Sequence, residues 1–431
     1  MRALHCGLHA AAPKIVRTWW RAIVWKVDRT QVKRSYKYRF YPTEQQRQEL
    51  SRTFGCVRKV YNLALDAKTH AWFTQQRRLN YGETSAMLTM WKQTDQLAYL
   101  NEVSSVPLQQ TLRHLQGAFV SFFDRRSDYP RFKSRKRSKA SAEYTKSAFR
   151  WRDGQLTLAK MREPLNIVWS RPLPEGAEPS TVTVSRDAAD RWFVSILVET
   201  RVEQHAPSQD TVGIDAGITS LLTLSTGEKV TNPRHERRER SRLVRAQREL
   251  ARKQNGSANC EKARRKVAHV YARITDRRRD HLHKVTTRLV RDNQVVVIED
   301  LNVRGMLRNS ALARAISDAA WAEFRSMLEY KCAWYGRELV VIDRWFPSSR
   351  TCSECGRLTE SMALAVREWM CAGCGATHHR DINAAKNILA AGLAVSACGA
   401  GVRPQRESSG MGQPAVNQEP SGVSRMGIPQ Q

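Results

Sequence analysis

Cys352, Cys355, Cys371 and Cys374 stand in a C-x2-C-x15-C-x2-C array. An acid, Asp381, follows in the run His379-Arg380-Asp381-Ile382-Asn383-Ala384-Ala385. Two tight CxxC pairs, each on its own turn, bring four thiolates tetrahedrally around one Zn²⁺. Gly356 and Gly375 follow the second cysteine of each pair, where the chain must turn around a metal and a Cβ would obstruct. The bland alternative is two reduced CxxC turns without metal. With every ligand position filled by protein, such a site is closed and structural, not catalytic. It also presents Asp381 immediately downstream.

Asp215 lies between Ile214 and Ala216-Gly217, mid-strand, where a lone carboxylate is disfavoured. Glu299 follows the apolar run Gln294-Val-Val-Val-Ile298, and Asp381 opens an Ala-rich segment. One acid on a first strand, one at the end of a later parallel strand and one at the start of a final helix converge on an RNase H-like sheet. Carboxylates crowded there repel unless divalent ions bridge them, and hard Mg²⁺ prefers oxygen ligands. Two Mg²⁺ ions about 4 Å apart would stabilise the attacking water and the leaving oxygen of phosphodiester hydrolysis. Each acid has a plainer reading. Asp215 could serve the turn of a hairpin, Glu299 competes with Asp300, Asp381 could be only an N-cap, and Asp343 also ends a strand.

The elements that must position these groups are legible from periodicity. Lys33 to Tyr41 alternates as a strand; Thr43 and Gln46 then make a capping box for a helix carrying Leu50, Phe54, Val57, Tyr61 and Leu65 as a core stripe. Helical pattern continues to Phe122-Phe123. Thr181 to Val184 and Arg191 to Val198 read as a hairpin that could complete a small barrel with the first strand. Residues 211 to 224 read as another hairpin. From Pro233 to Arg291 a basic stretch, broken at Asn255-Gly256-Ser257, predicts two antiparallel helices sharing a narrow seam with Val267, Val270, Tyr271 and Ile274. Gln294 to Ile298 is a buried strand, Trp321 to Tyr335 an amphipathic helix, and Leu339 to Ile342 a strand leading into the cysteine array. Ile382 to Leu393 is a last helix, capped by Asp381.

The chain has 431 residues, enough for two or three domains, and 72 Lys+Arg against 41 Asp+Glu, a formal net charge of +31. This excess implies a polyanionic partner, and nucleic acid fits better than a membrane because no basic amphipathic anchor joins a long apolar stretch. Between Arg125 and Lys139, Arg131, Lys133, Arg135, Lys136 and Arg137 are interleaved with Tyr129 and Phe132. Cations meet phosphates and aromatics stack on bases; a solvated loop is the alternative. Cys6, Cys56, Cys260, Cys332 and Cys398 show no pairing pattern, which argues for a reducing, cytoplasmic compartment. Residues 1–32 read as an extension outside the fold and residues 400–431 as a disordered tail.

Together these segments resemble the TnpB (OrfB-type) proteins of bacterial insertion sequences, compact RuvC-like, RNA-guided DNA endonucleases. The resemblance covers about residues 33 to 403. It is carried by Tyr38-Arg-Phe-Tyr-Pro-Thr43, Gly213-Ile-Asp215-Ala-Gly217, Ile298-Glu299-Asp-Leu-Asn-Val303, Ser317-Asp-Ala-Ala-Trp321, Leu328-Glu-Tyr-Lys331, the cysteine array and Arg380-Asp381-Ile-Asn-Ala-Ala-Lys386. It implies Asp215, Glu299 and Asp381 as the catalytic, Mg²⁺-holding acids, choosing Glu299 over Asp300 and dismissing Asp343. His379 stands where the family usually has an acid.

The resemblance also implies an α/β fold with a β-barrel and a helical lobe. A wedge barrel with an inserted recognition lobe would span 33–205, and a RuvC-like domain with its basic helical hairpin 206–345. The zinc ribbon would span 346–378 and the final helix 379–399. A guide RNA from the element would fill a positive channel, and double-stranded target DNA would be matched by base pairing while the protein reads a short flanking motif. Tyr81, Ser85 and Gln109 lie in segments expected to read it, and Arg380 is expected to steady the phosphate. Two other readings stay open. One is a non-cleaving DNA- or RNA-binding regulator on the same scaffold; the other is a miniature type V CRISPR effector.

Overall fold

The computed structural model describes residues 31–136, 138–360, 362–363 and 365–397. The extension up to residue 30, the tail from residue 400 and Arg137 lie outside the described residues. Gln31 and Val32, assigned to the extension from sequence, instead pair with Arg201 and Thr200. Backbone groups need partners whatever their side chains, and the long opposing strand offers them beyond the last apolar residue.

In the N-terminal half, β1 (Gln31–Phe40) buries Tyr36, Tyr38 and Phe40 in alternation. The Thr43–Gln46 capping box opens α1 (Glu44–Gln75). A second box, Asn80 with Glu83, opens α2 (Tyr81–Gln93), and α3 (Ser105–Phe123) follows. Then come β2 (Ala140–Thr145), β3 (Phe149–Arg152), β4 (Gln155–Leu158), β5 (Ile167–Val168), β6 (Pro179–Arg186) and β7 (Trp192–Arg201). The expected β6–β7 hairpin is present and β1 pairs along the whole of β7, giving a five-stranded antiparallel sheet ordered β2-β6-β7-β1-β5. Leu50, Leu65, Leu108 and Leu112 of α1 and α3 share one core with Tyr38, Val182, Val194 and Ile196 of this sheet.

The C-terminal half begins with a meander, β8 (Thr211–Ala216), β9 (Ser220–Leu224) and β10 (Lys229–Thr231). The basic arm follows as α4 (His235–Ala251) and α5 (Ala258–Asp292). Its seam buries Leu243, Cys260, Ala263 and Ile274, and also Glu239, which pairs with Arg277 at 2.8 Å and Arg242 at 3.3 Å. Tyr271, assigned to the seam from sequence, is exposed, its hydroxyl accepting from Gln247. Next are β11 (Val295–Glu299), α6 (Val303–Met306), α7 (Ala313–Ala319), α8 (Trp321–Tyr335) and β12 (Glu338–Ile342). The small hairpin β13 (Glu368–Met370) and β14 (Thr377–His379) then runs straight into α9 (Arg380–Ala397). The sheet order is β10-β9-β8-β11-β12, with β11 parallel to both β8 and β12. Parallel neighbours need crossover connections; α4 with α5 supplies one and α6 to α8 the other. Among the described residues no helix is long and apolar enough to cross a membrane.

Candidate active site

Side chains alternate along β11: Val296 and Ile298 enter the core shared with α5 and α8, and Val297 enters the core against α9. Alternation puts Glu299 on the α9 face. On β8 Val212 and Ile214 take the α8 side, which leaves Gly213 and Asp215 on the α9 side. Ile214 and Ile298 are register partners, so Asp215 and Glu299 are the next residues of two adjacent parallel strands, on one face.

Two glycines let α9 lie against that face. A Cβ on Gly213 would sit 2.2 Å from the Ala385 carbonyl oxygen and 2.6 Å from the Leu389 nitrogen; one on Gly392 would sit 2.4 Å from Val297 Cγ1. With Ala385 seated on Gly213, Asp381 lies one helical turn (about 5.4 Å) earlier, and Asp215 two strand residues (about 6.6 Å) beyond. Both offsets lead to the same edge of the sheet. Gly213→Val is accordingly expected to push α9 away and lower folding stability by about 3 kcal/mol, read as the midpoint of urea unfolding. An unchanged midpoint would mean that α9 is not seated on β8.

The electrostatics record the convergence. Burial, then the charges of Asp381 and Glu299, push the Asp215 carboxyl up to about 7, against the weaker pull of Arg380 and Arg367. Burial also raises Glu299, partly offset by a hydrogen bond with Ser348. The carboxylates remain further apart than the cysteines. Among the described residues, only the cysteines form a group of three or more with all ligand atoms within 4.8 Å of one another. Asp381 departs from the sequence reading, which made it the cap of α9. The helix already includes Arg380, whose N–H donates to the Arg367 carbonyl at 2.7 Å, so Asp381 falls in the first turn. Its carboxylate accepts from Arg367 Nη1 at 3.0 and 3.4 Å.

The competing acids have other partners. Asp300 is held by Arg325 and Arg344, whose hydrogen bonds and charges bring its carboxyl below the usual range although burial acts to raise it. Asp343 accepts the Trp345 N–H at 2.7 Å and fixes a turn. His379 accepts from Lys229 Nζ at 2.8 Å.

Cys352 Sγ lies 3.7 Å from Cys374 Sγ, and Cys355 Sγ 3.6 Å from Cys371 Sγ. A tetrahedral site with Zn–S bonds of about 2.3 Å needs sulfurs about 3.8 Å apart, so Zn²⁺ fits. The backbone N–H groups of Cys374 and Gly373 pull the Cys371 thiol down, while the neighbouring Cys355 and Cys352 sulfurs hold Cys374 up, so the crowded sulfurs ionise together only with a cation among them. His378 Nε2 is 3.0 Å from Cys352 Sγ. This centre is tied to α9. Asn383 accepts from the Ser353 N–H at 2.9 Å and donates to the Thr351 carbonyl at 2.7 Å; Asn387 donates to the Ser348 and Thr351 carbonyls. Ser348, Arg367, Asn383 and Asn387 were not singled out from sequence. Only the buried asparagines, four apart on an Ala-rich helix, left a signal there.

The residues assigned to nucleic acid lie on several elements. Arg131, Arg135 and Lys136 are exposed, with Arg131 3.7 Å from Asp128. Lys133 is half-buried; its ammonium lies 3.8 Å from the Tyr61 ring centroid and its backbone is clamped by Asn62. Tyr81 opens α2 under Arg113, Ser85 lies further along α2, and Gln109 is exposed on α3. Arg380 donates to the Ala363 carbonyl beside the acids.

Three family models match the chain. Residues 195–310 match OrfB_IS605, a "Probable transposase", residues 321–388 a "Cas12f1-like, TNB domain", and residues 31–77 a "Helix-turn-helix domain". The last range holds β1 and the single long helix α1. A "Putative RNA-guided DNA endonuclease" of Streptomyces pristinaespiralis is 69% identical over 399 residues, covering 93% of this chain and 99% of the relative. The "Putative RNA-guided DNA endonuclease InsQ" of Escherichia coli (strain K12) is 33% identical over 393 residues, covering 86% and 95%. In the solved "Cryo-EM structure of the Cas12f1-sgRNA-target DNA complex", one chain aligns with a TM-score of 0.53 at 13% identity, over 83% of this chain and 99% of that one, a likeness of fold. With relatives of this identity matched over nearly their whole length, the chain belongs to the TnpB/OrfB family of IS605-type elements.

Proposed function

We propose that the protein is an RNA-guided, Mg²⁺-dependent DNA endonuclease encoded by an insertion sequence, acting in the cytoplasm on guide-matched chromosomal sites. The observation that carries this reading is the convergence of Asp215, Glu299 and Asp381 at one sheet edge. The order β10-β9-β8-β11-β12, an antiparallel meander continued by two parallel strands, supports an RNase H-like domain of the RuvC kind. We assign 33–205 to the wedge and recognition lobe, 206–345 to the nuclease core, 346–378 to the ribbon and 379–399 to the final helix.

Crowded carboxylates with one pushed up to about 7 lack positive charge, and their hard oxygens suit Mg²⁺. When bound, Mg²⁺ supplies charge stabilisation to the reacting oxygens of the phosphodiester. The chain's own part is to hold Asp215 and Glu299 on rigid strands, to bring Asp381 in on α9, and to place Arg367 and Arg380 where a phosphate arrives. Cys352, Cys355, Cys371 and Cys374 hold a structural Zn²⁺. Guide RNA and target duplex lie along the basic surfaces, including the arm of α4 and α5 and residues 131–136.

Sequencing RNA that co-purifies with the protein, then assaying cleavage of a randomised-flank plasmid library matched to that RNA, tests the proposal. A discrete RNA and guide-dependent, Mg²⁺-dependent cutting is the expected result. A bound RNA without cutting would move the protein to the regulator reading.

The acid cluster also sets a pH dependence. A folded-state carboxyl raised to about 7 contributes stability below its unfolded value near 4 and loses it as pH rises to about 7. In metal-free protein at pH 8 the ionised Asp215 is therefore a cost, and Asp215→Asn is expected to stabilise by on the order of 2 kcal/mol, discounted for its partial exposure. Thermal melts of both proteins across pH check this. Destabilisation by the substitution at pH 8 would contradict the crowding.

A further inference from the structure

We propose that Trp345 is a base-stacking subsite, which holds an unpaired base of the DNA strand beside the phosphate presented to Asp215, Glu299 and Asp381. The proposal rests on the nuclease reading for the identity of the strand, and on the structure for the rest. Trp345 is 84% exposed, the largest exposure among the large apolar side chains of the described residues. A single exposed apolar side chain is ordinary and means little by itself. Its place decides the matter.

β12 ends at Ile342, the register partner of Glu299, and the Asp300 N–H donates to the Ile342 carbonyl at 3.1 Å. Trp345 follows three residues later, so its Cα lies within about 11 Å of the strand position beside Glu299. The loop carrying it is fixed on both sides. The Asp343 carboxylate accepts the Trp345 N–H at 2.7 Å, the Asp343 carbonyl accepts the Phe346 N–H at 3.2 Å, and Phe346 packs into the core with Val297, Val340 and Ile388. Arg344 is anchored on Asp300, and Ser348 bonds Glu299 on the opposite flank. Arg344, Phe346 and Ser348 thus each hold part of the acid site or the core, while the indole projects into solvent from a pinned backbone.

An indole held in this way presents a π-face at little entropic cost on binding, because its backbone is already ordered. A cationic margin around an exposed aromatic is the combination that binds single strands through base stacking and phosphate attraction. Arg344, the residue before Trp345, supplies a guanidinium at that margin, anchored on Asp300. Duplex bases are stacked on one another and leave no face for the ring, so the occupant is an unpaired base of the cleaved strand. Such a base is available only after the target has been opened.

The test uses the protein with its guide RNA, and compares Trp345→Ala and Trp345→Phe with the native chain. Three quantities are read: guide RNA affinity, KM and kcat of target cleavage, and affinity of the complex for a fluorescent single-stranded oligothymidine. Trp345→Ala is expected to leave RNA affinity unchanged and to weaken both oligothymidine affinity and KM roughly ten-fold, with kcat little altered. Trp345→Phe restores most of the loss. A 2-aminopurine placed next to the cut site, in complexes also carrying Asp215→Ala, is quenched when Trp345 is kept and bright when Trp345→Ala is added. Native oligothymidine affinity and KM in Trp345→Ala overturn the proposal while leaving the nuclease reading intact. Equal losses in the Trp345→Ala and Trp345→Phe proteins, with 2-aminopurine unaffected, also overturn it. If the native complex binds the oligothymidine through Trp345 yet never cuts, the subsite stands and the nuclease reading falls.

Discussion

Asp215→Ala is expected to abolish guide-directed cleavage, by at least about a thousand-fold, while guide RNA affinity stays within about three-fold of native. The size of the loss follows from what the carboxylate does. It is the innermost of the three acids, the one whose proton affinity responds most to the other two, so its removal takes away the donor that the cluster is built around. Retention of RNA binding follows from where the basic surfaces are. The arm of α4 and α5 is held by its own seam and by Glu239, and the N-terminal half has a separate core. Neither depends on the Asp215 side chain. The substitution also relieves repulsion at the sheet edge, so misfolding is not the expected source of inactivity. Asp300→Ala is the informative control. It frees Arg325 and Arg344, and should cost stability with only a moderate loss of rate. Gel-based cleavage with matched guide, beside filter binding of the RNA, reads both effects. Residual cutting by Asp215→Ala within ten-fold of native would remove it from the catalytic set, and joint loss of RNA binding would make its role structural.

Periodicity carried the main strands and helices of both halves: alternation on β1 and the three-to-four spacing on α1 record burial directly, and the apolar runs of β11 and β12 mark the strands beside Glu299. It also carried the order of the acids along the chain. The closeness of α9 to β8 was not legible. Gly213 and Gly392 look like two ordinary glycines until the Ala385 carbonyl and Val297 are found in the space their Cβ atoms would take. The strands β2 to β5, β10 and the β13–β14 hairpin were also missed, since they lack the continuous apolar run that marks the equally short β11 and β12. Lys133 shows the limit for charge. A lysine in a basic run reads as a phosphate contact, yet its ammonium is directed onto Tyr61 by a backbone clamp that only the fold reveals. The pairing of Arg367 with Asp381 was likewise invisible, because it depends on the ribbon hairpin folding back beside the first turn of α9.

Loss of the ribbon metal has the second large effect expected of this protein: Cys352→Ser lowers cleavage by at least about a hundred-fold without touching an acid. The path is short. Cys352 sits between Thr351 and Ser353, and both of those backbones are hydrogen-bonded to Asn383, two residues after Asp381. Lys386 adds an ion pair to Glu354 at 3.4 Å. On the other side of the ribbon, β14 continues without a break into α9, and Arg367, just before β13, holds the Asp381 carboxylate. A ribbon this small has little core of its own among the described residues, so its shape depends on the metal. Without it, Asp381 loses both of its lateral supports, and a displacement of about 1 Å in a reacting group is enough for a hundred-fold loss. Zinc content by elemental analysis should fall from one equivalent per chain in the same preparation, while guide RNA affinity is kept. Asn383→Ala separates the metal from the linkage, since it should retain zinc and still cut slowly. A zinc-free Cys352→Ser protein that cuts at the native rate would show that Asp381 is placed by the sheet and α9 alone, with the ribbon a separate appendage.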